Sequence, residues 1–374
     1  MGGYCFITGF LRSGTTLVEK LVHALPGACI GPQPFPFLYY DTKRAFLRTL
    51  GIEQERYPLG HLFLEERYRV GDFERFLLQH RLTTEAVAAS FVAMRGYSGW
   101  KLPALARHAR QVREGSFADV YRGLCDALRR ILGRRQARLR GAKEVFCEEF
   151  IPYFLAQSVA VILVVRDIRD VVTSLRFGSA ERYADPALPL LHIVRQWRKS
   201  VSYALQFSGS PGFHVLRYED VLARPRPALE ELALRLGCPA PADDAIEHLR
   251  DQDGAPWRGN SSFAPLDGVS PDPVGRFARH LPASWSAAIA SLCAPEISAL
   301  ALAAPARAGG VEVGEALQRL ASEADLVVGA GRSLAEEVDA ERRRAQIIAA
   351  GKASEPEQQR WCIFPRAYRR LAGL

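Results

Sequence analysis

At 374 residues the chain is long enough for one large α/β domain with an appendage, since single cores stop growing at about 250–300 residues. A net charge of +8 and a pI near 9.2 favour an anionic partner. The basic residues are interspersed with acidic ones and no zinc-finger spacing or basic-region zipper occurs, so no nucleic-acid partner is expected.

Seven cysteines, an odd number without paired C-x-x-C spacing, argue against a disulfide framework and a structural zinc site. They fit reduced thiols in a cytoplasmic protein. No run reaches the roughly 18 apolar residues of a transmembrane helix, and an apolar strand beginning by Tyr4 leaves no room for a signal peptide.

That first strand is carried by Tyr4, Phe6 and Ile7 and stops at Thr8-Gly9. Leu17, Val18, Leu21, Val22 and Leu25 then recur at helical spacing until Pro26-Gly27 ends the pattern. Between them, Gly9 and Gly14 keep the G-x-x-x-x-G-K-[ST] spacing of a P-loop. In such a loop backbone N–H groups cradle phosphates, the lysine reaches the terminal phosphates and the hydroxyl holds magnesium. Thr15 stands where the lysine belongs. The loop can therefore bind an anion at a helix N-terminus, but it lacks the usual apparatus for a γ-phosphate. An ordinary strand-to-helix turn is the competing reading.

Residues 31–140 are rich in aromatic and helix-forming residues and read as a largely helical insertion. Its segment Phe35-Pro36-Phe37-Leu38-Tyr39-Tyr40 is either core or the wall of a pocket. Arg134-Arg135-Gln136-Ala137-Arg138-Leu139-Arg140 reads as a solvated helix face. Further on, Val159 to Val165 is an uninterrupted apolar run typical of a central parallel strand. It leads into Arg166-Asp167-Ile168-Arg169-Asp170-Val171-Val172-Thr173-Ser174. Arg166 thus falls at a strand's carboxyl end, where open α/β sheets bind ligands; surface ion pairs around a helix start are the alternative.

Val215 to Leu222 reads as a strand-to-helix junction with Glu219 and Asp220 in the helix's first turn, followed by a helical stretch to Leu236-Gly237. Beyond Pro305 the composition shifts to Ala, Glu and Arg, with Leu317, Leu320, Leu326 and Leu334 among polar residues. This reads as a helical extension divided by Gly329 and Gly331. It packs on the domain, mediates a homodimer or covers an acceptor site. Trp361-Cys362-Ile363-Phe364 is apolar enough to dock.

The two anion segments together resemble the sulfotransferases that use 3′-phosphoadenosine 5′-phosphosulfate (PAPS). In that family a first-strand loop of the form [KR]-S-G-T-T cradles the 5′-phosphosulfate, matched by Arg12, Ser13, Gly14, Thr15 and Thr16. A later strand ends in R-[DN]-P-[KR]-D-x-x-x-S, whose Arg and Ser hold the 3′-phosphate, matched by Arg166 and Ser174. Ile168 replaces the proline, which should loosen the helix's first turn without removing either contacting group. Tyr218 matches a Y-E-D-L tyrosine that borders the adenine in some relatives. Trp257-Arg258-Gly259-Asn260-Ser261-Ser262 resembles a late loop that would bring Arg258 and Gly259 to the 3′ side.

The resemblance runs from about Tyr4 to about Leu302. It implies a three-layer, P-loop-like α/β fold with a central, mainly parallel sheet flanked by helices. Residues 1–305 would form the sulfotransferase domain, with 31–140 on the acceptor side, and 306–374 the C-terminal helical extension. PAPS would be the co-substrate, no metal is expected, and the acceptor would be a small molecule or glycan with a free hydroxyl or amine.

Arg12 is expected at the leaving group and Lys143 as a second cation. Val145 stands where many relatives carry a histidine base, so Glu144 becomes the first candidate for general base, as a carboxylate whose pKa burial can raise. A surface carboxylate paired with Lys143 is the plainer reading of Glu144. His61 and His108 are the other candidates for base. Gln33 lies where some relatives place a catalytic glutamate and cannot act as a base. The competing functions are a P-loop small-molecule kinase and a non-catalytic nucleotide- or glycan-binding module of the same fold.

Overall fold

The computed structural model describes residues 3–53, 58–60, 62–97, 100–178, 188–264, 266, 268–302, 312–321, 326 and 333–374. His61, Gly329 and Gly331 lie outside the described residues.

The strands in chain order are β1 (Tyr4–Thr8), β2 (Ala28–Pro32), β3 (Arg81–Leu82), β4 (Gly115–Ser116), β5 (Leu139–Lys143), β6 (Ala160–Val165) and β7 (Phe213–Arg217). Five of them form a parallel sheet in the order β2-β5-β1-β6-β7. The pair β3–β4 is a separate antiparallel ribbon. Alternation along the central strands divides the core between the two faces of the sheet. Phe6, Ala142, Val161 and Leu163 point to one face; Cys5, Ile7, Ile162 and Val164 point to the other. Helices cover both faces, as a buried parallel sheet requires.

β5 departs most from the sequence expectation, which read no strand at Leu139-Arg140-Gly141-Ala142-Lys143. It lies between β1 and β2, and Gly141 passes so close to β1 that a Cβ there would stand 2.0 Å from the Cys5 carbonyl oxygen. The expected 31–140 insertion therefore begins and ends inside strands of the sheet, and between them it is mainly helical. Within it Phe35, Leu38 and Tyr39 are buried, with Tyr39 stacked on Phe6 and Phe35, so the aromatic segment is chiefly core. The helix Phe117–Ile131 ends before the arginine run, whose Arg134, Arg135 and Arg138 are exposed on a loop and whose Leu139 and Arg140 open β5, so it is not a helix face.

The helix Leu190–Phe207 is buried on all sides although it carries Arg195, Arg198 and Lys199. Each charge has a buried partner. Lys199 binds Glu149 at 2.6 Å; Arg195 binds Glu337 at 2.6 Å and Glu341 at 2.9 Å; Arg198 binds Glu341 at 2.5 Å. Glu337 and Glu341 belong to the helix Leu334–Ala350, so the C-terminal extension packs on the domain. Trp361, Cys362 and Ile363 are buried, as their apolar character predicts, and Leu317, Leu320 and Leu326 join the same core. All seven cysteines are free thiols. No helix among the described residues is long and apolar enough to cross a membrane.

Candidate functional site

A cleft opens at the carboxyl ends of β1, β6 and β7, beside the point where successive strands stop adding on one side of β1 and begin on the other. Ligands of open α/β sheets bind at such a switch point. One wall is the loop Gly9–Gly14 and the start of the helix Thr15–Ala24. Gly9 and Gly14 have φ of 154° and 97°, and a Cβ on Gly14 would lie 2.1 Å from the Tyr218 ring, so glycine is required there by both conformation and space. Tyr218 in turn packs against Arg166, whose guanidinium lies 4.7 Å from the ring centroid.

The opposite wall is the end of β6 and the helix Ile168–Arg176. Asp167 caps this helix, accepting the Arg169 N–H at 2.8 Å, and so supplies the order that proline would have given at position 168. The ion pairs expected here exist, Arg169 with Asp167 at 2.6 Å and Arg166 with Asp170 at 3.6 Å, but all four groups are buried rather than on the surface. Trp197 of the long helix donates its indole N–H to the Arg166 carbonyl at 2.7 Å. Arg166 Nη1 donates to the Arg12 carbonyl at 3.1 Å, while its buried Nε has no hydrogen-bond partner among the described residues.

Arg12 has φ of 63°, and its side chain crosses the cleft, with Nε 2.9 Å from Ser174 Oγ and Nη2 2.8 Å from the Asn260 carbonyl. Ser174 also bonds Ser262. The described residues between 257 and 276 form the roof. Arg258 on it is exposed and does not line the cleft, nor does Gly259, whereas Trp257, Asn260, Ser261 and Ser262 do. Arg276, which the sequence reading passed over, lines it as well and donates to Ser261 Oγ at 3.2 Å. Burial and the nearby Arg166 both hold its pKa below the usual arginine value. The available signal was the Gly/Pro-rich stretch Gly268–Gly275 ending in an arginine. Asp170 is the carboxylate among the described lining residues, and it already accepts the Gly275 and Phe277 N–H groups at 2.8 and 2.9 Å. Leu17, Leu222, Trp257 and Val269 give the same cleft an apolar part.

Lys143 and Glu144 lie at the same edge of the sheet, on the β5 side of the loop, and do not line the cleft. Both are buried, which overturns the surface reading of Glu144. Lys143 Nζ donates to Gln33 Oε1 at 2.7 Å, and Glu144 accepts the Phe35 N–H at 3.1 Å. Burial pushes the Glu144 carboxyl up, against the opposing effects of the Phe35 N–H and Lys143. Burial likewise pushes the Lys143 ammonium down, against the opposing effects of Glu19 and Glu144. Three non-glycine residues with positive φ stand at the carboxyl ends of adjacent strands: Gln33 at 47° after β2, Phe146 at 59° after β5 and Arg12 at 63° after β1. Strained backbone of this kind clusters at active sites. His108 sits apart, 3.1 Å from Gln111 in a surface cleft with Arg113, Asp119, Arg122 and Arg130, and shares no lining residue with the first cleft.

Three solved structures are similar to this chain. The sulfotransferase domain of Synechococcus PCC 7002 olefin synthase is 16% identical, with 76% of this chain and 90% of that one covered and a TM-score of 0.44. The sulfotransferase domain from the curacin biosynthetic pathway is 16% identical, with coverages of 82% and 99% and a TM-score of 0.47. Sulfotransferase STF1 from Mycobacterium tuberculosis H37Rv is 17% identical, with coverages of 67% and 71% and a TM-score of 0.32. No curated protein matches. The family described as "Sulfotransferase domain" matches residues 4–253, which take in the Gly9–Gly14 loop, the β6 segment and the Tyr218 junction. On that match, the chain belongs to the sulfotransferase domain family.

Proposed function

We propose that the protein transfers a sulfuryl group from PAPS to a hydroxyl or amine of a small-molecule acceptor. The observation that carries this reading is the pairing of a helix-terminal loop with a second, strongly cationic wall in one cleft. Among the described lining residues, three arginines, Arg12, Arg166 and Arg276, face one carboxylate, Asp170. A donor with anionic groups at both ends of an adenosine needs two such anion sites with an apolar seat between them. In this reading the backbone of Arg12–Thr16 cradles the 5′-phosphosulfate, Arg166 and Ser174 hold the 3′-phosphate, and Tyr218 borders the adenine.

The acceptor would then approach over the ends of β2 and β5, beside Gln33, Lys143 and Glu144. Its oxygen or nitrogen attacks sulfur in line as the bond from sulfur to the bridging oxygen breaks. The electron pair leaves with adenosine 3′,5′-bisphosphate (PAP), and Glu144 takes the acceptor's proton. Catalysis consists of positioning and charge stabilisation. Lys143 supplies positive charge near the transferring group, and Gln33 orients it.

Calorimetric titration with PAP, together with transfer of label from PAPS to an acceptor panel, tests the proposal. Arg166→Ala should weaken PAP binding by about 100-fold, the scale of a buried charge-assisted contact. Failure of the native protein to bind PAP, or magnesium-dependent ATP turnover, would refute the reading. Tight PAP binding without transfer to any acceptor would favour a non-catalytic module.

A further inference from the structure

We propose that Arg12 reads the ribose 3′-phosphate of the donor rather than the transferring group, so that the phosphate loop itself selects 3′-phosphorylated adenylates. This rests on the donor proposed above. Sequence position alone puts Arg12 beside the 5′ group. Its guanidinium, however, has crossed to the other wall, where Nε binds Ser174 at 2.9 Å and Nη2 binds the Asn260 carbonyl at 2.8 Å.

Two further guanidiniums converge on the same place. Arg166 is tied to the Arg12 carbonyl at 3.1 Å, and Arg276 to Ser261 at 3.2 Å, next to the Ser262 hydroxyl that bonds Ser174. Among the described lining residues three arginines stand against one carboxylate, Asp170, so this wall is cationic. A phosphate monoester supplies the opposite charge, nearly −2 at neutral pH, its second pKa being about 6. The 5′ end needs no side-chain cation of its own, because the loop's N–H groups and the start of the helix Thr15–Ala24 already offer a site for an anion. Cation, hydroxyl and loop carbonyl are thus joined into one recognition element that spans the cleft.

Calorimetric titration of the native protein and of Arg12→Ala, Arg12→Lys and Arg276→Ala with PAP and with 5′-AMP separates the two assignments. Arg12→Ala should weaken PAP by about 30-fold or more, as loss of a charge-assisted bond implies, and weaken 5′-AMP by less than about threefold. Arg276→Ala should show the same selectivity. Arg12→Lys should lie between, since an ammonium cannot reproduce the fork, and it keeps the test readable if Arg12→Ala does not fold. Equal weakening of PAP and 5′-AMP in the Arg12 variants would put Arg12 at the 5′ group and overturn the proposal. A native protein that binds PAP no better than 5′-AMP would overturn the donor reading itself, an outcome visible before any variant is made.

Discussion

Glu341→Ala should destabilise the protein by about 3–5 kcal/mol, because it removes the carboxylate that two buried arginines share without removing the arginines. Glu341 accepts from Arg195 Nε at 3.0 Å and Nη2 at 2.9 Å and from Arg198 Nη1 at 2.5 Å, and the side chains of all three residues are no more than 4% exposed. Without it Arg195 keeps Glu337, but Arg198 keeps only the carbonyl of Leu292 and a longer contact of 3.5 Å with Glu296. Breaking a buried pair from one side typically costs about 3–5 kcal/mol, roughly a fifth or more of a typical folding free energy of about 5–15 kcal/mol. At about 1.3 °C per kcal/mol for a chain this long, the melting temperature should fall by about 4–6 °C.

Urea unfolding measures the loss, and a double variant isolates its origin. Arg198→Met with Glu341→Met should cost much less than the sum of the single changes, since neither charge is then left buried without the other. A cost below about 1 kcal/mol for Glu341→Ala, or additive costs in the double variant, would refute the reasoning. Acid provides a second arm. Burial would raise the Glu341 carboxyl, but Arg198 and Arg195 outweigh it and bring it to about 2, from 4.5 in the absence of the fold. A depressed native pKa means that this stabilisation is complete above about pH 4.5 and is lost as pH falls towards 2.

The remaining predictions concern the cleft and its neighbours. Because burial raises the Glu144 carboxyl and a base works only when ionised, turnover should climb with pH through a range more alkaline than an ordinary carboxylate's. Glu144→Gln should abolish that climb and lower turnover while leaving PAP affinity unchanged; normal turnover in this variant removes Glu144 from the mechanism. Gly14→Ala should push the Tyr218 ring aside and strain a residue at φ 97°, weakening PAP by about tenfold or more for roughly 1–3 kcal/mol of strain. In a Tyr218→Ala background the steric part of that penalty should vanish in calorimetry. Trp197→Phe leaves the Arg166 carbonyl without its 2.7 Å donor, and PAP affinity should fall by about three- to tenfold with a lowered urea midpoint. Unchanged affinity would mean that the long helix does not help position Arg166.

The sequence was legible where local pattern and tertiary role coincide. β1, β6 and β7 carry apolar runs of their own, and the loop before the first helix announces itself through Gly9 and Gly14. β5 does not, because Leu-Arg-Gly-Ala-Lys becomes a central strand only through the neighbours that enclose it; Gly141 is there for close approach rather than for propensity. Arg276 was missed for a related reason. Its place in the cleft depends on a loop folding back across some 100 residues to Asp170, whose carboxylate fixes the Gly275 and Phe277 N–H groups. Arg258 attracted attention by motif and lies outside the cleft, while its neighbours Asn260 to Ser262 lie inside it. Burial of charge was equally invisible: nothing in the composition of the helix Leu190–Phe207 says that its arginines face glutamates from the far end of the chain.

That last arrangement sets an order of events during synthesis. Arg198 precedes Glu341 by 143 residues, so at about 5–20 residues per second a nascent chain carries its arginines for roughly 7–30 s before their partners are made. Through that interval the Leu190–Phe207 helix cannot be enclosed without leaving charge buried and uncompensated. The domain should therefore finish folding only once the Leu334–Ala350 helix has been made, so loss of that helix would expose the product to aggregation rather than simply shorten it.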